Sequence, residues 1–214
     1  MRSSVLALVT VTTTSLLGCY EDPPPPIEPW AKAFGDENDQ FGPTLAADAA
    51  GNLALAGSFN GRIDLGGGPL PAKAASVDVF IASLDPTGHH LWSGSTGSAG
   101  SQSAAGVALD ARGNIVVTGT FQEQVDFGTG PFDALFFDTF VASFGPDGQT
   151  LWAKHFSDDP QSPNGIGKST PSGIVLGGDD SIVLGGSFTG TLDFGGPPLT
   201  TDPEGESAFV TKLD

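Results

Sequence analysis

Carboxylates recur at fixed places along this 214-residue chain. Asp64, Asp126 and Asp193 share one repeated position; Asp78 and Asp138 share another, where the third copy has Ser207. Such oxygens suit Ca²⁺, a hard cation that takes oxygen ligands. Each position offers only one or two acids close in sequence, and an Asp just ahead of Gly at a strand end is an ordinary turn former. The three histidines are His89, His90 and His155. The first two are neighbours in a turn, and adjacent residues on a strand point to opposite faces, so they do not converge on one metal. Gly165-Ile166-Gly167-Lys168-Ser169 has the close of a phosphate-binding loop, but position 162, where its first glycine belongs, is Ser162. Thr170-Pro171-Ser172-Gly173 cannot carry the helix whose N-terminus would hold the phosphate. No G-x-S-x-G elbow occurs. The expectation is a protein with no catalytic residues, no metal and no cofactor.

Aromatic side chains offer a second chemistry. Trp30, Trp92 and Trp152, one per repeat, would stack on sugars if exposed, or supply bulk between packed layers if buried. They sit in strand-like segments beside Leu91 and Leu151, which favours packing. Phe132, Phe136 and Phe137 form the one aromatic cluster in a loop-like stretch.

Composition excludes several functions. Eight Lys and Arg against 25 Asp and Glu leave a formal charge of −17. Nucleic-acid binding needs a basic face, and charge attraction to anionic lipid needs cations. One cysteine excludes an intrachain disulfide framework, a zinc finger or an iron–sulfur cluster. The 31 Gly and 17 Pro are too many for a helical protein, yet 15 Phe and 38% hydrophobic residues are enough for a core.

The elements that must position these residues are repeated. Gly57-Ser58-Phe59-Asn60-Gly61-Arg62-Ile63-Asp64-Leu65-Gly66 recurs from Gly119 to Gly128 and from Gly186 to Gly195. Phe80-Ile81-Ala82-Ser83-Leu84 recurs as Phe140–Phe144 and Phe209–Leu213. With the tryptophans these are three landmarks in one order, the mark of an internal repeat. The second unit parses into strands at about 106–109, 115–121, 139–144 and 151–156, with a turn at Asp110–Asn114, another at Pro146-Asp147-Gly148, and a polar loop at about 123–137. The fold class expected is all-β, a β-propeller-like array of three four-stranded antiparallel blades, a partial or half propeller. The domain runs over 30–214, with repeats at about 30–91, 92–151 and 152–214.

Residues 1–18 read as a leader: Arg2, then an uncharged apolar stretch from Val5 to Leu17, too short to span a bilayer as a helix. Leu16-Leu17-Gly18-Cys19 resembles the bacterial lipobox. The resemblance implies lipidation of Cys19 after cleavage before it, and several acyl chains on one Cys anchor durably where one chain does not. Residues 19–29, with Pro23 to Pro26, form a semi-rigid tether. Residue 20 is Tyr rather than Asp, which favours the outer membrane, at its periplasmic face or at the cell surface.

The recurring string W-x-K-x-F, D-x-x-G-N, G-[ST]-F-x-G-x-[VIL]-D-[FL]-G and F-[IV]-A-x-L resembles the seven-bladed-propeller-type repeats of bacterial surface and secreted proteins, abundant in myxobacteria-like deltaproteobacteria. It covers essentially everything after the leader. The third copy departs from it: Gly177 stands where Asp48 and Asp110 do, followed by Gly178-Asp179-Asp180-Ser181. The resemblance implies fold and location and carries no reaction. The function expected is an envelope-anchored, non-catalytic binding or scaffold module with a protein or glycan ligand. The alternatives are a carbohydrate-binding surface module and a truncated structural relative of a longer propeller.

Trp30–Phe34 has the sequence of a fourth strand, whereas Phe209–Leu213 is a third strand. The two are expected to lie side by side, within one chain or between two chains, the latter a homodimer that completes the ring.

Overall fold

The computed structural model describes residues 29–73, 76–98, 100–157, 167–202 and 205–214. The leader, Cys19 and the tether up to residue 28 lie outside the described residues, as does Gly165-Ile166. What is described is all-β. The first sheet takes β1 (Gln40–Ala47), β2 (Leu53–Phe59), β5 (Asp78–Leu84) and β6 (His90–Thr96) in the order β1-β2-β5-β6, with a ribbon of β3 (Arg62–Asp64) and β4 (Pro69–Pro71) projecting between β2 and β5. The second takes β7 (Gln102–Leu109), β8 (Ile115–Asp126), β9 (Pro131–Phe144) and β10 (Thr150–Phe156) in one consecutive antiparallel meander. The third takes β11 (Lys168–Leu176), β12 (Ile182–Thr189) and β15 (Ser207–Leu213), with a ribbon of β13 (Thr191–Leu192) and β14 (Leu199–Thr200). This is a partial propeller-like array: two four-stranded blades and, among the described residues, a third blade of three strands.

The repeated G-[ST]-F motif exists because of the strand beside it. Gly57, Gly119 and Gly186 pair with Phe80, Phe140 and Phe209 across the middle of each blade. A Cβ at Gly119 would lie 2.0 Å from the Ser103 carbonyl oxygen and 2.8 Å from the Phe140 ring, and at Gly186 2.4 Å from the Thr170 carbonyl oxygen and 2.8 Å from the Phe209 ring. The glycine lets the aromatic ring lie flat over the strand, and the ring covers backbone that glycine leaves bare. The Phe two residues on is fully buried in the first two copies and nearly so in the third.

Blades stack face to face. Ala54, Ala56, Val79 and Ile81 on one face of blade 1 pack against Val117, Phe121, Phe140 and Ala142 of blade 2. Val116 and Val141 on the far face of blade 2 pack against Leu184, Phe188 and Phe209 of blade 3. Each interface therefore sets a face of small aliphatic side chains into a face rich in Phe. Hydroxyls stitch the first strands to the preceding blade: the Ser58 hydroxyl accepts from the Ala104 amide at 3.1 Å, and the Ser169 hydroxyl accepts from the Thr139 amide at 3.2 Å.

Two expectations are corrected. The stretch 123–137 is not a loop. β8 runs on to Asp126 and β9 begins at Pro131, so Val125 faces Phe132 across a ladder that continues beyond a bulge at Phe121–Glu123. Nor does Trp30–Phe34 lie beside β15 of the same chain: it is outside any strand, and among the described residues β15 pairs only with β12. The Trp30 indole donates instead to the Pro86 carbonyl at 3.1 Å, and Lys32 bonds the Gly88 carbonyl, both on blade 1.

Candidate functional site

The recurrent carboxylates close turns. Asp64 Oδ1 accepts the amides of Gly66 and Gly68 at 2.8 and 3.1 Å; Asp126 Oδ1 accepts those of Gly128 and Gly130 at 2.7 and 3.1 Å; Asp193 accepts that of Gly195 at 2.7 Å. Asp48 and Asp110 each bond the side-chain amide of the Asn four residues on at 2.7 Å, and the Asn52 bond leads a set of donors that holds Asp48 below the usual carboxylate range. In the third copy Asp180, with φ 62°, takes the left-handed position of Gly51 and Gly113, a conformation Asp tolerates better than most residues. Asp179 accepts the Ser181 hydroxyl and, at 3.0 Å, the Lys212 ammonium, which together hold its carboxyl well below the usual carboxylate range. Among the described residues no three His, Cys, Asp or Glu side chains gather as a metal would require.

The histidines separate. His89 Nδ1 lies 2.7 Å from the Thr87 hydroxyl and 3.2 Å from Asp85. Asp85, bonded by the Thr87 hydroxyl and the His89 amide, is held down to about 2. His90 Nε2 lies 2.9 Å from the Ser93 hydroxyl, and its ring fills the space over Gly67, where a Cβ would come within 2.3 Å. Lys168 and Ser169 open β11, a strand and not a helix, so the phosphate-loop likeness has no helix N-terminus behind it. Trp92 lies between blades over Gly148, and Trp152 packs on the core shared by blades 2 and 3. Trp30 alone of the three is exposed. The Phe cluster disperses: Phe132 stacks on His155 at 4.7 Å, whereas Phe136 is more than half exposed.

Sequence reading missed one constellation. Asp138 and Asp78 share a repeat position, but Asp78 is satisfied by the Lys73 amide at 2.6 Å and the Ser76 hydroxyl at 3.0 Å. Asp138 Oδ2 and His155 Nδ1 are buried, lack hydrogen-bond partners and face each other at 3.7 Å. Burial pushes Asp138 up to about 6, and burial pushes His155 down, opposed by the charge of Asp133. The pair is 17 positions apart in sequence and meets only because His155 pairs with Phe140, two residues beyond Asp138.

Among the described residues, the outer faces of blades 1 and 3 are left open. On blade 1 the Phe-rich face, which in blades 2 and 3 receives the preceding blade, borders a cavity of about 330 Å³ lined by Leu45, Leu55, Leu65, Phe80 and Leu84, with Trp30–Phe34 along its rim. On blade 3 the opposite face presents Val175 and Val210 to solvent.

No protein-family model matches the chain. It is similar to an uncharacterized WD repeat-containing protein of Acanthamoeba polyphaga mimivirus, 27% identical over 162 residues that cover 68% of this chain and 11% of that relative. The chain thus spans about a tenth of the length of the curated relative it matches. Likeness to a repeat protein and an array of antiparallel sheets agree on one coarse statement: this is a repeat protein of propeller-like build.

Proposed function

We propose that the chain is a non-catalytic binding or scaffold module, a propeller-like domain held at the bacterial envelope, at the outer membrane, by a lipid on Cys19. One observation carries the module reading. Asp64, Asp126 and Asp193 each close their own turn, while among the described residues an apolar concavity on the outer face of blade 1 is left open. Apolar concavities with few polar groups are where ligands and partners dock. The anchor is supported by Leu16-Leu17-Gly18-Cys19 and the proline tether behind it. The ligand is a protein or a glycan, and no nucleic acid, given a charge of −17.

The anchor is tested by expressing the chain and Cys19→Ser in a Gram-negative host fed labelled palmitate. The expected result is label and membrane association in the first and neither in the second. An unlabelled wild type, or a variant that still fractionates with membranes, rejects it.

A further inference from the structure

We infer that a second copy of this chain docks head to tail, the open face of blade 3 seating on the open face of blade 1, to make a six-bladed ring from two chains.

Equivalent positions carry the argument. Val79 and Ile81 of β5, and Thr139 and Val141 of β9, are buried against the next blade. The same positions in β15 are Ala208 and Val210; Ala208 is exposed and Val210 is 76% exposed. On the receiving side Val107 and Ile174 are 7% exposed, whereas their counterpart Leu45 is 72% exposed. Blade 3 thus shows the small aliphatic face that fills each internal interface, and blade 1 shows the Phe-rich, hollow face that accepts it. These are two halves of an interface the molecule already builds twice.

The backbone is equally complementary. Trp30 covers Gly88 as Trp92 covers Gly148, with ring atoms 2.9 Å from a notional Cβ in both cases. Trp92 belongs to β6, the outer strand of the blade preceding Gly148. Relative to blade 1, Trp30–Phe34 therefore occupies the place of the outer strand of a preceding blade. Among the described residues β15 has a free outer edge, and an unpaired edge is a template for another strand. Docking the second copy brings its Trp30–Phe34 to that edge. The register follows from Trp92 opposite Ser83 and Trp152 opposite Ser143: Trp30 faces Lys212, Ala31 faces Thr211 and Lys32 faces Val210. Six blades turn by about 60° each, inside the range of closed propellers; three would need about 120°.

The test uses the whole chain in a Cys19→Ser background, which removes the lone native thiol and makes the outcome independent of the anchor. One chain carries Ala31→Cys and another Thr211→Cys, and the two are mixed under mild oxidation. Directly opposed residues in an antiparallel pair lie within disulfide reach, whereas a diagonal neighbour at about 7–8 Å does not. The expected result is a covalent heterodimer, with Ala33→Cys in place of Ala31→Cys linking about tenfold less. Light scattering on the Cys19→Ser chain is expected to give twice the 21.7 kDa of one chain. Val210→Glu is expected to give a monomer with an unchanged circular-dichroism spectrum, because that side chain supports nothing within its own copy. A monomeric mass for the Cys19→Ser chain, no heterodimer, equal linkage through positions 31 and 33, or a Val210→Glu protein that stays dimeric each overturns the docking.

Discussion

Gly185 and Gly186 are adjacent on β12, yet they should respond to alanine with opposite sign. At Gly185 the nearest atom to an added Cβ is the Phe209 carbonyl oxygen at 3.8 Å, an ordinary contact, and the equivalent positions in the other blades hold Ala56 and Thr118. The methyl adds no strain and lowers the entropy of the unfolded chain, which stabilises by about 0.4–1 kcal/mol. At Gly186 the same methyl would stand 2.4 Å from the Thr170 carbonyl oxygen and 2.8 Å from the Phe209 ring. Neither can withdraw cheaply: the carbonyl belongs to the β11 backbone, and Phe209 is buried against Phe188 and Phe194. Overpacking of this kind costs about 1–3 kcal/mol. The entropy gain is common to both and cancels, so the two variants should differ by about 1–3 kcal/mol. Urea unfolding followed by circular dichroism and by tryptophan fluorescence measures this from the shift of midpoint at constant slope. Equal midpoints for Gly186→Ala and Gly185→Ala would refute the account of the G-[ST]-F motif as a seat for the ring of the neighbouring strand.

Asp138→Asn should alter the pH dependence of stability. Burial raises the Asp138 carboxyl to about 6 in the folded chain, from an ordinary value of 3.8; the neutral form is therefore favoured in the fold, and its stabilising contribution, full below about 4, is lost as pH rises to about 6. Wild type should lose stability relative to Asp138→Asn across that window, and a constant difference between the two in urea titrations at pH 4, 5, 6 and 7 would contradict it. Asp110→Ala removes the acceptor of the Arg112 and Asn114 amides and should cost about 1 kcal/mol, with thermal unfolding as the readout; no shift in melting temperature would mean the turn is held by Gly113 alone.

The fold was legible in the sequence wherever one residue decides a local conformation. Gly113, with φ 83°, and the Asp110–Asn114 hydrogen bonds mark a turn that Asp-x-x-Gly-Asn announces without tertiary help. The stretch 123–137 was misleading because its Gly and Pro crowd only the tip. Val125 and Phe127 on one arm, and Phe132 and Ala134 on the other, already alternate, but their pairing is set by the β8–β9 register and not by local preference. The Asp138–His155 pair was illegible for the same reason. Each is an unremarkable polar residue in a strand-like stretch, and only the register of β9 with β10 brings their buried atoms face to face.

Repetition explains both what the sequence reveals and what it conceals. An identical motif announces identical local structure, so it gives the three blades equal standing. Burial is not a property of the motif but of what lies against it. Ile81, Val141 and Val210 are interchangeable in sequence, and in the structure two are sealed between blades while the third faces solvent. The candidate surfaces therefore arise from what lies against each blade, not from any special residue: a face of the kind that binds the next blade remains a binding face where none of the described residues covers it. A stacked array normally needs polar end faces to remain soluble. Here the two outer faces keep apolar side chains in the open, Leu45 on one side and Val175 with Val210 on the other, in a chain of formal charge −17. Two such chains repel at long range, so the association of these ends should strengthen as added salt screens that charge, the opposite of what contact through ion pairs would give.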